Sequence, residues 1–205
     1  MSWSLWLTLV ATGALISFTP GAGAVNTMAN SLGSGWTRSL WGILGQQVAL
    51  IAHIAVVAAG LGVLVAGSPV LFTVIRYAGA AYLIHLGVRQ FRSRALAARV
   101  AAVERESAVS LFRRGLLVNL TNPKAVVFFL AFTPQFIRPE RPLLPQYAVL
   151  AATVVAIDVV VMWFFFAAAA RGIGRLTRRE SGQRAMSRVF GGLFVGVGVL
   201  LAAVH

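Results

Sequence analysis

The sequence contains no cysteine, which excludes thiol redox chemistry and cysteine-bound metal. Charged residues are also scarce, at 11% of 205 residues, whereas a soluble protein carries about 25%. No Lys or Arg precedes the first apolar run, so we expect no cleaved signal peptide. These absences point away from a soluble or secreted protein and toward the lipid bilayer.

Apolar runs long enough to cross a bilayer recur along the whole chain. We predict an all-α polytopic membrane protein in which residues 1–205 form a single transmembrane domain. The interval 39–75 has no Lys, Arg, Asp or Glu and is too long for one span, so we divide it at Gly67-Ser68-Pro69. The six predicted spans run from about Trp3 to beyond Val25, Leu40 to Ala66, Val70 to Val88, Gly115 to Phe136, Leu143 to Ala170 and Val189 to Val204.

The basic residues predict the orientation of these spans. Most loop arginines follow the first, third and fifth spans, at Arg38, in 90–114 and in 171–188. The positive-inside rule makes that side cytoplasmic and puts both termini outside. The net charge of +13 is therefore interpreted as a topology signal, and no nucleic-acid partner is predicted.

A polar interruption lies within the fourth span, at Asn119 and Asn122-Pro123-Lys124. Proline removes a backbone donor, and lipid cannot satisfy the freed carbonyls, so the break must be buried in protein or line a cavity. Asn122 is a good N-cap residue and Pro123 suits the first helical position, so we expect the helix to restart there. Unpaired N–H groups beside the Lys124 ammonium predict a carboxylate site. A proline kink with a snorkelling lysine is the alternative.

A second interruption lies in the first span, at Thr19-Pro20-Gly21 and Gly23. Thr19 and Pro20 again offer an N-cap followed by a first-position proline. Gly21 and Gly23 let the backbone unwind or approach a ligand closely. A helix end near the membrane surface is the alternative.

The two breaks suggest an internal repeat. Each stands in the first span of a three-span half, about 1–91 and 111–205, and the halves are joined by a basic cytoplasmic connector, 92–110. Because three spans is an odd number, the halves must be inverted. Inverted repeats with matching broken helices point to the midplane site of a secondary transporter. We therefore expect two inverted three-helix repeats with broken first and fourth helices.

Asp158 is the one acidic residue in the fifth span. A carboxylate at mid-span costs about 2.5–3.5 kcal/mol on insertion scales, and such groups are usually functional. Shifting the first half by the interval between Pro20 and Pro123 brings His53 near Asp158. We predict that Asp158 carries a coupling proton and that His53 relays it. A structural aspartate, paired with an arginine or hydrogen-bonded across helices, is the alternative.

Three segments resemble signatures of the LysE/RhtB amino-acid exporters: Ser17 to Ala22, Gly79 to Leu83 with Leu86-Gly87, and Gly115 to Phe136. The resemblance covers most of the chain. Ala22 departs from it, because the family usually has a second proline there. The resemblance implies a bacterial inner-membrane exporter of amino acids or related metabolites, driven by ion exchange.

Together these observations predict a proton-coupled exporter of a small zwitterion and not an enzyme. An aspartyl protease would need two aspartates, and no Gly-x-Ser-x-Gly motif occurs. Export of an inorganic cation is one alternative, although a single carboxylate offers too few ligands for a hard cation. A purely structural membrane protein is another alternative. No metal or cofactor is predicted, and a homo-oligomer is left open. The predicted substrate-binding residues are Thr19, Pro20, Gly21, Gly23, Asn119, Asn122, Pro123 and Lys124.

Overall fold

The computed structural model describes residues 1–67, 69–92 and 106–170, with single positions at 172, 185, 188, 189, 191, 192, 195, 196, 198, 199, 202 and 203. These residues are largely helical and contain no β-strand, which confirms the all-α prediction for the described chain. Seven α-helices lie in the three long ranges: α1 (Trp3–Phe18), α2 (Ala22–Ser34), α3 (Ser39–Gly67), α4 (Pro69–Arg92), α5 (Ala108–Leu120), α6 (Pro123–Phe132) and α7 (Leu143–Val160). A 3-10 turn, Thr133–Phe136, continues α6, and a π-helical segment, Val161–Ala167, continues α7.

The first break separates α1 from α2, whose axes are bent by 59°. Thr19 is not the N-cap that the sequence predicted, and Pro20 is not the first residue of the new helix. Thr19 ends α1 as its C-cap, and Gly21, in an extended conformation, is the N-cap of α2. The prediction misplaced the restart because the Thr19 hydroxyl donates to the Leu15 carbonyl, 2.8 Å away, instead of accepting from the next helix.

The second break separates α5 from α6, bent by 57°. Here the predicted restart is confirmed. Asn122 is the N-cap, its side-chain oxygen accepts from the Lys124 amide at 3.1 Å, and Pro123 opens the helix. The helix before the break begins at Ala108, earlier than the predicted span start at Gly115.

Two stretches of unbroken helix, Ser39–Gly60 and Leu143–Ala170, are long and apolar enough to cross a membrane by themselves. Counting each bent pair as one span gives up to four such spans among the described residues. The sixth predicted span is described only at scattered positions, and most of the 92–110 connector and of the basic 171–188 loop lies outside the described residues. The six-span arrangement and the inverted repeat therefore stay predictions.

α3 and α5 touch backbone to backbone, with glycine at the contact. A Cβ atom added at Gly45 would collide with the Phe112 carbonyl oxygen, and one at Gly115 would collide with the Gly42 carbonyl oxygen. Small residues allow this close approach, on which helix association in membranes depends. α3 and α5 therefore form one tightly packed pair.

Apolar packing forms two clusters on either side of the breaks. The first joins α1, α3, α6 and α7 through residues such as Leu9, Leu50 and Phe128. The second joins α2 and α3 to the π segment through residues such as Met28 and Phe166. Members of both clusters lie beside the residues of the breaks, Leu50 and Phe128 from the first cluster and Ala24 and Met162 from the second.

Candidate functional site

A small cavity, enclosing about 50 Å³, lies between the two breaks. Both arms of each broken span and the unbroken helices α3 and α7 contribute to its wall. Six of the site residues predicted from the sequence line this cavity: Gly21, Gly23, Asn119, Asn122, Lys124 and Asp158. The structure thus brings together residues that are far apart in sequence.

Lys124 connects the two breaks directly. It stands in the first turn of α6, but its ammonium donates to the carbonyl oxygens of Ile16, at 2.9 Å, and Thr19. Those carbonyls belong to the C-terminal end of α1, where carbonyl groups lack helical partners and the dipole is negative. The lysine therefore satisfies the end of one broken helix from the start of the other.

The first turn of α2 offers backbone donors with no side-chain cap. Gly21, its N-cap, makes no side-chain hydrogen bond, whereas Asn122 caps α6. Gly21, Gly23 and Ala24 all line the cavity, so the positive end of α2 faces it. This helix start is more open to an anion than the start of α6, where the sequence predicted the carboxylate site.

Asp158 is held by two buried polar side chains. The Ser17 hydroxyl donates to one carboxylate oxygen at 3.0 Å, and the Gln47 amide donates to the other at 2.8 Å. Lys124 is the charged group that interacts with it electrostatically. No local pattern predicts that Ser17 and Gln47 meet Asp158, because both lie more than 100 positions away in the sequence.

Side-chain amides of Gln46, Asn119 and Asn122 link the helices beside the cavity. The Gln46 amide donates to the Gly23 carbonyl at 3.3 Å and to the Thr27 hydroxyl at 3.0 Å. The Asn119 amide donates to the Gln46 carbonyl at 2.9 Å, and the Asn122 amide reaches Asn119 at 3.4 Å. α2, α3 and α5 are thus fixed around one end of the site.

Four of the predicted site residues do not line the cavity: Thr19, Pro20, Pro123 and His53. Thr19 takes part through its backbone carbonyl, which accepts from Lys124. The His53 ring lies parallel to Phe129, with centroids 6.2 Å apart, and interacts with the backbone of Leu120 at the end of α5. The described hydrogen bonds to Asp158 come from Ser17 and Gln47 and not from His53.

The chemistry of the cavity suits a small molecule that carries both charges. The Lys124 ammonium and the N-terminus of α2 supply positive charge to the cavity. The Asp158 carboxylate, which accepts hydrogen bonds from neutral donors, supplies negative charge. Leu50, Phe128 and Phe129 add apolar surface. No group of three or more His, Asp or Glu side chains placed to hold a metal ion occurs in the part of the chain that the structure describes.

Comparison with known families matches residues 14–204 to the LysE type translocators. The chain belongs to this family. Two named relatives are a homoserine/homoserine lactone efflux protein of Salmonella typhimurium, 39% identical over 99% of this chain and 98% of its own, and a leucine efflux protein of Salmonella choleraesuis, 29% identical over 98% of this chain and 95% of its own. An uncharacterized membrane protein of Vibrio cholerae is 42% identical over 97% of this chain and 96% of its own. No solved structure matches this translocator.

Proposed function

We propose that this LysE type translocator exports small amino acids with uncharged side chains, of the homoserine type, in exchange for protons. The observation that carries the proposal is the pairing of Lys124 and Asp158 in one cavity between two helix breaks. The named relatives support it, because their names describe efflux of homoserine, its lactone and leucine.

In the bound state the substrate carboxylate lies against the first turn of α2 and the Lys124 ammonium. Helix N-termini and ammonium groups both bind anions. The substrate ammonium faces Asp158, and its side chain lies toward Leu50, Phe128 and Phe129. A cavity of about 50 Å³ with a single carboxylate offers no second partner to a basic side chain. Short, uncharged side chains are therefore preferred.

Exchange follows from competition at Asp158. An anionic Asp158 attracts the substrate ammonium, whereas a protonated Asp158 does not, so proton and substrate exclude each other from the same group. Gln47 suits both states because its amide carries a donor and an acceptor. Its oxygen has no partner among the described residues, so rotation of the amide lets it accept from the protonated carboxyl.

The proposed location is the bacterial inner membrane, with Arg38 and Glu106 on the cytoplasmic side and both termini outside. A reporter that is active only in the cytoplasm, fused after His205, is expected to be inactive. A fusion within the 92–110 connector is the matched positive control. Strong cytoplasmic activity after His205 would contradict the proposed orientation.

The transport proposal is tested with purified protein in liposomes loaded with L-homoserine. We expect uptake of labelled L-homoserine by exchange, competition by L-threonine and L-leucine, and little competition by L-lysine. Imposing a pH gradient should drive net accumulation. Absence of homoserine exchange by folded protein, or equal competition by lysine, would reject the proposed substrate class.

A further inference from the structure

Buried polar residues continue from the cavity along one face of α2. Gly23, Thr27, Asn30 and Ser34 follow each other at intervals of three or four residues, which places them on the same face of the helix. Thr27 and Asn30 have no exposed surface. Polar side chains in membrane helices face protein and hydrogen-bond to neighbouring helices, as Thr27 does with Gln46. This face leads from the cavity toward Arg38.

The face ends at a charged cluster that the transport site does not use. Arg114, on α5, forms a salt bridge with Glu106 and also donates to the side-chain oxygen of Asn30 on α2. The Glu106 amide donates to the Ser34 hydroxyl at 3.3 Å, and Arg38 donates to the Glu106 carbonyl at 2.9 Å. These contacts tie the far end of α2 to the α3–α5 pair.

The cluster retains donors without acceptors. Among the described residues, the Arg114 Nε and the Asn30 side-chain nitrogen are buried and have no hydrogen-bond partner. Buried polar atoms are rarely left in this state without a cause. One unpaired donor belongs to the Arg114 guanidinium and the other lies on its hydrogen-bond partner Asn30, so the pair favours an additional acceptor, such as the carboxylate of a ligand.

The two sides of this cluster are held differently. α3 and α5 meet backbone to backbone at Gly45 and Gly115, where an added Cβ atom would collide with the facing carbonyl oxygen. α2, in contrast, is joined to α1 through the bent segment at Thr19 to Gly21. Separating Asn30 from Arg114 would open the polar face of α2 as far as Thr27, where the hydrogen bonds of the Gln46 amide begin.

We propose that Glu106, Arg114 and Asn30 form a vestibule site that receives the amino acid before it reaches the cavity, and that the same residues close the path when the site is empty. The substrate carboxylate takes the place of Glu106 on Arg114, and its ammonium pairs with the freed Glu106. Arg114 thereby loosens from Asn30, and α2 moves away from α5. The inference rests on the proposed function for its substrate, L-homoserine.

The absence of native cysteine makes closure directly measurable. Thr27→Cys places one thiol between the cluster and the cavity, and a membrane-impermeant maleimide is added from the cytoplasmic face of inside-out vesicles. Labelling should be slow, since Thr27 is fully buried. Glu106→Gln or Arg114→Gln in this background should raise the labelling rate at least roughly tenfold, the factor that about 1.4 kcal/mol of lost closure gives.

The Arg114 and Glu106 substitutions each have a matched control elsewhere in the chain. Arg113→Gln removes the neighbouring, exposed arginine, and Glu140→Gln removes an exposed acid in the 138–141 loop. Neither should change the labelling rate. Exchanging the charges, as Glu106→Arg with Arg114→Glu, should restore slow labelling, which excludes simple unfolding as the cause of faster labelling.

L-homoserine should speed labelling of Thr27→Cys, and this effect should be lost in Arg114→Gln but kept in Arg113→Gln. L-homoserinamide, which lacks the carboxylate, should have no effect. If labelling stays slow in Glu106→Gln while homoserine exchange persists, the vestibule site is wrong and the proposed function stands. If the wild type does not exchange homoserine, the proposed function fails, and closure by the cluster is still decided by the labelling rates.

Discussion

The two breaks have nearly the same bend, 59° and 57°, but they satisfy their backbone groups differently. At the second break a side chain of the same segment, Asn122, caps the new helix. At the first break glycine is the cap, and the carbonyl end of α1 is satisfied by Lys124 from the other break. The first break therefore leaves donors facing the cavity, and the second supplies the charge. The two breaks thus contribute different groups to one cavity, and Lys124 joins them.

The largest effect on homoserine exchange is expected at Gly23, where the first break leaves no space for a Cβ atom. A Cβ atom at Gly23 would lie 2.7 Å from the Gln46 side-chain oxygen, and Gln46 is itself held by Thr27. Gly23→Ala should therefore lower homoserine exchange by roughly tenfold or more, since overpacking typically costs about 1–3 kcal/mol. Gly60→Ala is the matched control, because nothing lies within 4 Å of the added atom. Equal activity of both variants would show that the first break does not shape the site.

A smaller effect is expected when the charge from the second break is removed. Lys124→Gln should raise the KM for L-homoserine by roughly tenfold, because hydrogen bonds to charged groups contribute about 1.5–3 kcal/mol. The KM for homoserine lactone should change less, since the lactone has no free carboxylate. Arg113→Gln should leave both values unchanged. An equal loss for homoserine and lactone would mean that Lys124 only supports α1.

The smallest effect is expected on stability, when the two caps are removed one at a time. Asn122→Ala removes an N-cap, which costs about 1 kcal/mol, and a change of that size lowers the melting temperature by a few degrees. Thr19→Val removes a hydroxyl that donates to a carbonyl within its own helix, so its effect should be smaller. Thermal unfolding of both variants in detergent gives the comparison. A larger shift for Thr19→Val would reverse the assignment of the two caps.

The parts of the site that the sequence predicted are those fixed by local chemistry. Asn122-Pro123 is predicted as a helix start because the N-cap side chain and the proline act within one turn. Thr19-Pro20 has the same pattern of an N-cap residue before a proline, but Gly21 follows and supplies the cap, so the local pattern did not decide where α2 begins. The start of α5 at Ala108, before the predicted Gly115, also did not follow from the local pattern.

The contacts that complete the site depend on the arrangement of helices. Asp158 meets Ser17 and Gln47, and Lys124 meets the end of α1, only because α1, α3, α6 and α7 pack together. The shift that aligned His53 with Asp158 used sequence distance alone, and the structure places His53 beside Phe129 instead. The π segment after α7 also had no local signal, because Val161–Ala167 is as apolar as an ordinary helix.

Competition between proton and substrate for Asp158 is tested by one pair of assays on Asp158→Asn. Asparagine keeps the shape of the side chain and still accepts from Ser17, but it cannot bind and release a proton. In liposomes, Asp158→Asn should retain exchange of labelled homoserine without a gradient, at reduced affinity. It should lose accumulation driven by a pH gradient. Accumulation at the wild-type rate under that gradient would show that Asp158 does not carry the coupling proton.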